Sequence, residues 1–388
     1  MDTLPAWVEV DLDALAHNVT VVRRLTGPDT RILFIVKADA YGHGAVEVAR
    51  EAVRSGVHML GVATVDEGRE LRAAGIDAAI LVLSPALPGE IPALLEAQLR
   101  TTVPDLDFAV QLSDAARRCG KLVPVHVEID TGMGRSGIHA SVAAQSIEQI
   151  SHLPGVVVEG VFTHFPVSDT NAEFTRAQCL SFNEIVARLR RAGVHIALVH
   201  ASNSAGILEL RQADLDMVRP GGMLYGCWPH TQLSGRAPLR PVMSFHARLV
   251  QVRRLPPRTP ISYGGDTHTW REALIGVVPV GYGHGLSRAY SGRGVMLFRG
   301  RRVPILGRVT MDMTMLDLTG CDARVGEEVV IFGSQGAESI GIDEIASATG
   351  IIGYEVLCGI SKRVVRVYRR HGGVESMRGL TGVRALQA

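Results

Sequence analysis

The 388-residue chain is short of cysteine, of net charge and of long apolar runs, and each shortage removes a class of protein. Its five cysteines, Cys119, Cys179, Cys227, Cys321 and Cys358, are scattered, odd in number and without metal-type spacing. They argue against a disulfide scaffold and against zinc, so no metal is expected; reduced thiols in a cytosolic compartment suit them. Forty Lys and Arg against 39 Asp and Glu leave a formal charge of +1, which withdraws the electrostatic case for nucleic acid or an anionic membrane as partner. Apolar runs such as Ile32–Val36 are broken far short of the ~18–20 residues that a membrane helix needs. The opening residues Met1 to Pro5 run into Trp7–Asp11 with no basic n-region, apolar stretch or cleavage site, so a cytoplasmic protein acting on a small molecule is expected. There is no internal repeat or low-complexity block.

What is present is a length beyond that of most single cores, with a hydrophobic fraction of 46% and a charged fraction of 20%. Two globular domains follow. Short Val/Ile/Leu-rich runs predict strands at Ile32–Val36, Met59–Ala63, Ala79–Leu83, Thr101–Val103, Val123–Ile129, Val156–Thr163, His195–Val199 and Leu215–Val218. Helical spacing between them predicts Ala45–Ser55, Asp66–Ala74, Glu90–Ala97, Asp107–Cys119, Val142–Ser151, Glu173–Arg191 and Ser204–Leu210. This alternation fits an α/β fold of the (β/α)8 TIM-type barrel class, although the pattern alone leaves a doubly wound open sheet in play. Past Pro220-Gly221-Gly222 the texture changes, and Trp228–Leu239 reads as a linker. The division is therefore 1–235 for the barrel and 236–388 for a β-rich C-terminal domain, with the strand at 7–11 assignable to either. The second domain carries strand-like runs at Ser244–Val252, Leu274–Pro279, Val303–Leu306, Thr314–Leu318, Val329–Phe332 and Arg363–Tyr368, and a helical stretch at Asp343–Thr349. Gly372–Ala388 reads as a loosely held tail.

Chemistry-bearing residues gather at the ends of the barrel strands. Lys37 ends the first apolar run, where a lysine with an apolar approach can lose enough basicity to form a Schiff base with an aldehyde. Asp130 to Arg135 follow the fifth strand, His164 the sixth, His200 to Ser204 the seventh and Arg219 the eighth. Taken singly, each has a plainer reading: a snorkelling lysine, a core histidine, a surface arginine, an Asn-Ser N-cap. Together at one barrel mouth they read as a site.

Several strings carry a resemblance. Lys37-Ala38-Asp39-Ala40-Tyr41-Gly42-His43-Gly44, Val127 to Arg135, Arg219-Pro220-Gly221, Ile261-Ser262-Tyr263-Gly264-Gly265, Gly281-Tyr282-Gly283, Gly307 to Asp312 and Ile352-Gly353-Tyr354-Glu355 resemble the signature segments of alanine racemases. The resemblance runs from Val8 to Tyr368. It implies interconversion of L- and D-alanine through an aldimine of pyridoxal 5'-phosphate, with Lys37 holding the cofactor and Tyr263 acting as the second acid/base on the opposite face. It implies that Tyr41, His164, Asn203, Ser204, Arg219, Gly221, Gly222 and Tyr354 contact the cofactor, Arg219 at the pyridine nitrogen. His164, linked to Arg219, would help a phenol with an unperturbed pKa near ~10 act as a base. Arg135 and the backbone of Met311 would bind the substrate carboxylate. Asp169, Tyr282, Arg288, Arg308, Asp312 and Ile352 would support or line the entrance. The resemblance further implies a homodimer whose sites are shared between subunits, and supply of D-alanine for cell-wall peptidoglycan.

A permanent guanidinium at the ring nitrogen leaves the ring a weakened electron sink, which suits reprotonation at the α-carbon over transamination. Glu128 stands where many members carry a carbamylated lysine, so an anion is supplied directly and no carbamylation is expected. His284, Thr310 and Gly359 depart from residues common in the family and leave strictness for alanine over serine open. The alternatives are a broad-specificity racemase, a pyridoxal phosphate-dependent decarboxylase, which uses a carboxylate at the ring nitrogen, and a non-catalytic cofactor carrier, which lacks the second domain.

Overall fold

The structure, a computed structural model, describes residues 3–385, with side chains through residue 382. The chain divides into two compact units, one made of Leu15–Ala40 and Ala45–Arg240, the other of the chain up to Ala14, Tyr41–Gly44 and the chain from Pro241 onward.

In the first unit all eight expected strands form, as Arg31–Ile35, Met59–Val62, Ala79–Val82, Arg100–Val103, Val123–Asp130, Val156–Phe162, Leu198–His200 and Met217–Val218. Each pairs in parallel with its neighbours, and the ring closes because Met217–Val218 pairs with both Leu198–His200 and Arg31–Ile35. The barrel is thus closed, and the open-sheet alternative falls. Strands covered on both faces read as continuous apolar runs, as Met59–Val62 does with every residue buried. Gly61 sits in that run because a Cβ there would lie 2.6 Å from Leu33 and 2.8 Å from Ile35.

The seven expected helices appear between the strands, several with side-chain caps that satisfy their first free amides. Asp105 accepts from the amide of Phe108 and Asn171 from that of Phe174. An eighth helix, Leu12–Thr26, was not expected. Its signal is visible in retrospect, since Leu12, Leu15, Val19 and Val22 recur at helical spacing and are all buried.

The second unit holds an extended, mostly antiparallel sheet. Ala6–Asp11 belongs to it, paired antiparallel with Met243–Arg248 and parallel with Val365–Arg370. Two expectations are corrected here. The run Ser244–Val252 is two strands, Met243–Arg248 and Gln251–Leu255, which pair with different neighbours. Within the tail, Gly373–Gly379 and Gly382–Ala385 form a hairpin whose first strand pairs with Val365–Arg370; residues 386–388 lie outside the described part. A sheet edge recruits a strand through backbone hydrogen bonds, so little apolar periodicity is needed. Gly372 and Gly382, with φ of 76° and 97°, supply the turns. The short strands Val295–Phe298, Pro260–Ile261, Thr267–His268 and Glu338–Ile340 and the helix Gly353–Cys358 were also unforeseen. No helix among the described residues is long and apolar enough to cross a membrane.

Candidate active site

Lys37 follows the first barrel strand and is half-buried. Directly after it the backbone turns left-handed, with φ of 54°, 52° and 53° at Ala38, Asp39 and Ala40 and 52° at Tyr41. Such a conformation costs an L-residue roughly 1–2 kcal/mol, so something must hold it. Glu67 does much of this, its Oε1 accepting from the Ala38 amide at 2.7 Å while Oε2 accepts from Ala63 and Thr64 at 2.7 and 3.2 Å. The Ala40 amide donates to Val36 O at 2.9 Å, and that of Ala45 to Asp39 Oδ1 at 2.8 Å. Glu67 also closes the capping box of the helix Val65–Ala73 with Thr64; it was not singled out from the sequence.

Arg135 is presented by a loop wrapped on Asp130. The Asp130 carboxylate accepts from the amides of Gly132, Met133 and Gly134 at 2.8–3.1 Å, and these bonds outweigh burial in holding its pKa down. Gly132 and Gly134 take φ of 137° and 67° there. Glu128, only 2% exposed, accepts from Ser136 Oγ at 2.5 Å and stands 3.9 Å from the Arg135 guanidinium. Ser136 is thus the nearer partner of this carboxylate, and it had not been singled out.

Arg219 lies immediately after the last barrel strand and is 5% exposed. It bonds His200 Nδ1 at 2.8 Å and donates to the carbonyls of Thr163 and Ala201 at 2.6 and 3.0 Å, with its charge over the Phe162 ring. Burial lowers its pKa to about 10, which leaves it a cation at neutral pH. The expected link from His164 to Arg219 is not a hydrogen bond here: His200 holds that place. His164 has its pKa pushed down to about 3 by burial first, and then by the charges of Arg219, Arg135 and Lys37. It is therefore neutral, and these four groups share one electrostatic environment at the barrel mouth.

Gly221 and Gly222 are buried beside Ser204, whose Oγ accepts from the amides of Gly221 and Met223 at 3.0 and 3.4 Å. Asn203 is the N-cap of Ser204–Glu209, accepting from the Gly206 amide and donating to Phe165 O. Asp169 is half-buried in the segment after the sixth strand.

In the second unit Tyr41 and Tyr354 meet edge to face, ring centroids 5.7 Å apart. Tyr263 is 72% exposed. It is flanked by left-handed Ser262, Gly264 and Gly265, with φ of 66°, 91° and 64°. Ser262 Oγ donates to Arg308 O at 2.7 Å, Arg308 pairs with Asp266 at 2.5 Å, and a Cβ on Gly264 would strike the Arg308 guanidinium. Arg308 is tied to the tyrosine hairpin in this way. The Tyr282 and Gly283 amides donate to the carbonyls of Thr310 and Met311, and Thr310 closes its own turn through Met313, so the departure at residue 310 retains a structural role. Asp312 pairs with Arg363 at 2.8 Å. His284 is buried against the Gly281 amide, its pKa lowered by burial and then by Arg363. Met311, Tyr282, Arg288 and Ile352 are exposed.

The donor set at the barrel mouth fits pyridoxal phosphate. A buried cation whose described hydrogen-bond partners are all neutral suits an uncharged ring nitrogen, and backbone donors with small residues suit a phosphate.

The chain matches two family models, "Alanine racemase, N-terminal domain" over residues 10–229 and "Alanine racemase, C-terminal domain" over residues 242–368. It is 44% identical to an alanine racemase of Desulfosudis oleivorans, over 95% of this chain and 97% of that protein. It is 43% identical to alanine racemase 2 of Caldanaerobacter subterraneus, over 95% and 96%. Its structure superposes on an alanine racemase of Clostridium difficile with a TM-score of 0.93 at 35% identity, covering 97% of this chain and 99% of that one. The same enzyme in complex with cycloserine matches with a TM-score of 0.91 at 34% identity, over the same shares. Fold, strings and full-length similarity agree: the chain belongs to the alanine racemase family, the pyridoxal phosphate-dependent racemases of amino acids.

Proposed function

We propose that this chain interconverts L- and D-alanine, with pyridoxal 5'-phosphate held on Lys37 and a two-base transfer between Lys37 and Tyr263, and that the D-alanine serves peptidoglycan synthesis. The observation that carries the reading is Arg219, buried and cationic, whose hydrogen-bond partners among the described residues are all neutral. The cofactor, when bound, supplies an electron sink that acidifies the α-proton of an attached amino acid. Arg219 would face the ring nitrogen as a donor that does not surrender its proton, and would keep that sink shallow. Lys37 Nζ takes or returns the α-proton on one face.

The other face needs a second group, because inversion by proton transfer is most directly done with one base on each side. Tyr263 Oη fills that role, supplied by a second copy of the chain in a homodimer; its exposure of 72% in the single chain supports this. His164, neutral, accepts or relays a hydrogen bond near that phenol. Arg135 and the Met311 amide receive the substrate carboxylate, and Glu128 steadies Arg135. Tyr41, Asn203, Ser204, Gly221, Gly222 and Tyr354 surround the phosphate, Asn203 by capping the helix whose first turn faces it. Tyr282, Asp169, Arg288, Arg308, Asp312 and Ile352 build a narrow entrance that favours a methyl side chain.

The test is circular dichroism of L-alanine and L-serine solutions incubated with the holoenzyme. Optical activity of the alanine solution is expected to decay to zero, that of serine far more slowly. Indifference to both amino acids overturns the reading.

A further inference from the structure

Arg219 is the end of a hydrogen-bonded line that continues through the barrel interior. Its Nη1 meets His200 Nδ1 at 2.8 Å, His200 Nε2 meets His126 Nδ1 at 2.8 Å, and His126 Nε2 meets Glu159 Oε2 at 3.0 Å. Arg100 then holds Glu159 through two bonds, Nε to Oε2 at 2.6 Å and Nη2 to Oε1 at 3.0 Å. Both histidines are fully buried.

The directions of these bonds are forced. A guanidinium only donates, so His200 Nδ1 must accept and its proton must sit on Nε2. That proton faces His126 Nδ1, which must accept in turn, leaving the His126 proton on Nε2 and pointing at a carboxylate that only accepts. A charged imidazole at either place would set one N–H against another. Burial lowers the pKa of both histidines, while His126 and Arg100 overcome the effect of burial to hold Glu159 at about 2. The line is therefore a carboxylate, two neutral rings of one tautomer and a cation.

Two features of the backbone are shaped to this line. The pairing of Val123–Asp130 with Val156–Phe162 slips between Val125 and His126, so that Val125 faces Val158 and His126 faces Gly160. Glu159 is the extra residue, and a bulge of this kind re-aims a side chain. Gly160 in turn leaves room for the ring, since a Cβ there would lie 2.5 Å from His126 Nδ1.

We propose that Glu159, braced by Arg100, is a positioning residue for Arg219: through His126 it fixes both imidazoles as Nε2–H tautomers, so that the nitrogen facing Arg219 is always an acceptor. This rests on the assignment of Arg219 to the cofactor ring. Without the carboxylate, His126 can turn its proton to Nδ1; His200 then loses its partner or flips, and Arg219 is released from its orientation.

The experiment is 15N spectroscopy of the histidine imidazoles in selectively labelled holoenzyme, native and Glu159→Gln, from about pH 5.5 to 9. In the native protein two imidazoles are expected to hold the neutral Nε2–H pattern across the range. In Glu159→Gln at least one loses it, kcat falls about tenfold with KM within twofold, and Glu159→Asp restores part of both. A native His126 or His200 that is protonated or carries Nδ1–H overturns the proposal. So does a Glu159→Gln protein with unchanged imidazole signals and kcat. If Glu159→Gln does not fold, Arg100→Gln is read in the same way, removing the brace from its partly exposed end. The tautomer pattern is read without reference to turnover, so an inactive protein that shows it counts against the racemase reading alone.

Discussion

The two units present their candidate groups in opposite ways. In the barrel, Arg219 is 5% exposed and bonded to His200, Thr163 and Ala201, and Glu128 is 2% exposed and bonded to Ser136. In the β-rich unit Tyr263 is 72%, Met311 52% and Ile352 63% exposed. A charged group in a low dielectric must be held in hydrogen bonds by its own scaffold, because a buried charge without them is costly. A phenol and a backbone amide bear no such cost and can wait at a surface for what covers them. The comparison sets preorganised charges in the barrel against exposed, uncharged candidate groups in the β-rich unit, an arrangement that suits the proposed completion of the site by a second chain.

The largest effects should fall on the two bases. Lys37→Ala and Tyr263→Phe should each lower racemisation by at least about 1,000-fold. Steady-state loss cannot separate them, because a reversible path is broken at either end. Isotope washout from each enantiomer can: Tyr263→Phe should abolish exchange from L-alanine while Lys37 still holds the cofactor. Continued washout from L-alanine would remove Tyr263 from its role.

A smaller effect should mark the Glu128 pair. Glu128→Gln should raise KM for alanine about tenfold with kcat changed less, since Arg135 loses its anion and with it part of its orientation. Unchanged kinetics, or intact-mass data showing added carbon dioxide on the native chain, would contradict a direct carboxylate here.

The smallest effect concerns stability of the barrel alone. Asp214 is buried and its carboxyl is pushed up to about 7 by that burial, against help from Ser202. Between about pH 4 and 7 the folded state keeps a proton that the unfolded state has released, so stability falls as pH rises through this window and the loss is complete above about 7. Asp214→Asn should therefore match the native protein near pH 4 and exceed it at pH 8, by on the order of 2 kcal/mol. Denaturant midpoints at both pH values check this, and an equal difference at both would refute it.

Much of this architecture was legible in the sequence. The eight barrel strands were visible as apolar runs because both their faces are covered, and the helices between them as amphipathic periods. The strings around Lys37, Arg135, Arg219 and Tyr263 marked the candidate site and the family. What stayed hidden depends on direction rather than identity. The left-handed turn after Lys37 is written in ordinary L-residues, and only the tertiary grip of Glu67 reveals it. His126 and Glu159 were polar residues inside otherwise apolar strands, a signal that went unused, and the bulge that turns Glu159 toward His126 has no mark in composition. The C-terminal hairpin was missed because a sheet edge accepts backbone that shows little apolar period.

The most direct test of the proposed shared site mixes two chains expected to be inactive alone. Lys37→Ala and Tyr263→Phe proteins, unfolded together in equal amounts and refolded with cofactor, should regain about a quarter of native activity, because half the dimers are hybrids and each hybrid holds one intact site. A mixture that stays inactive while native mass spectrometry shows the hybrid present would contradict the account.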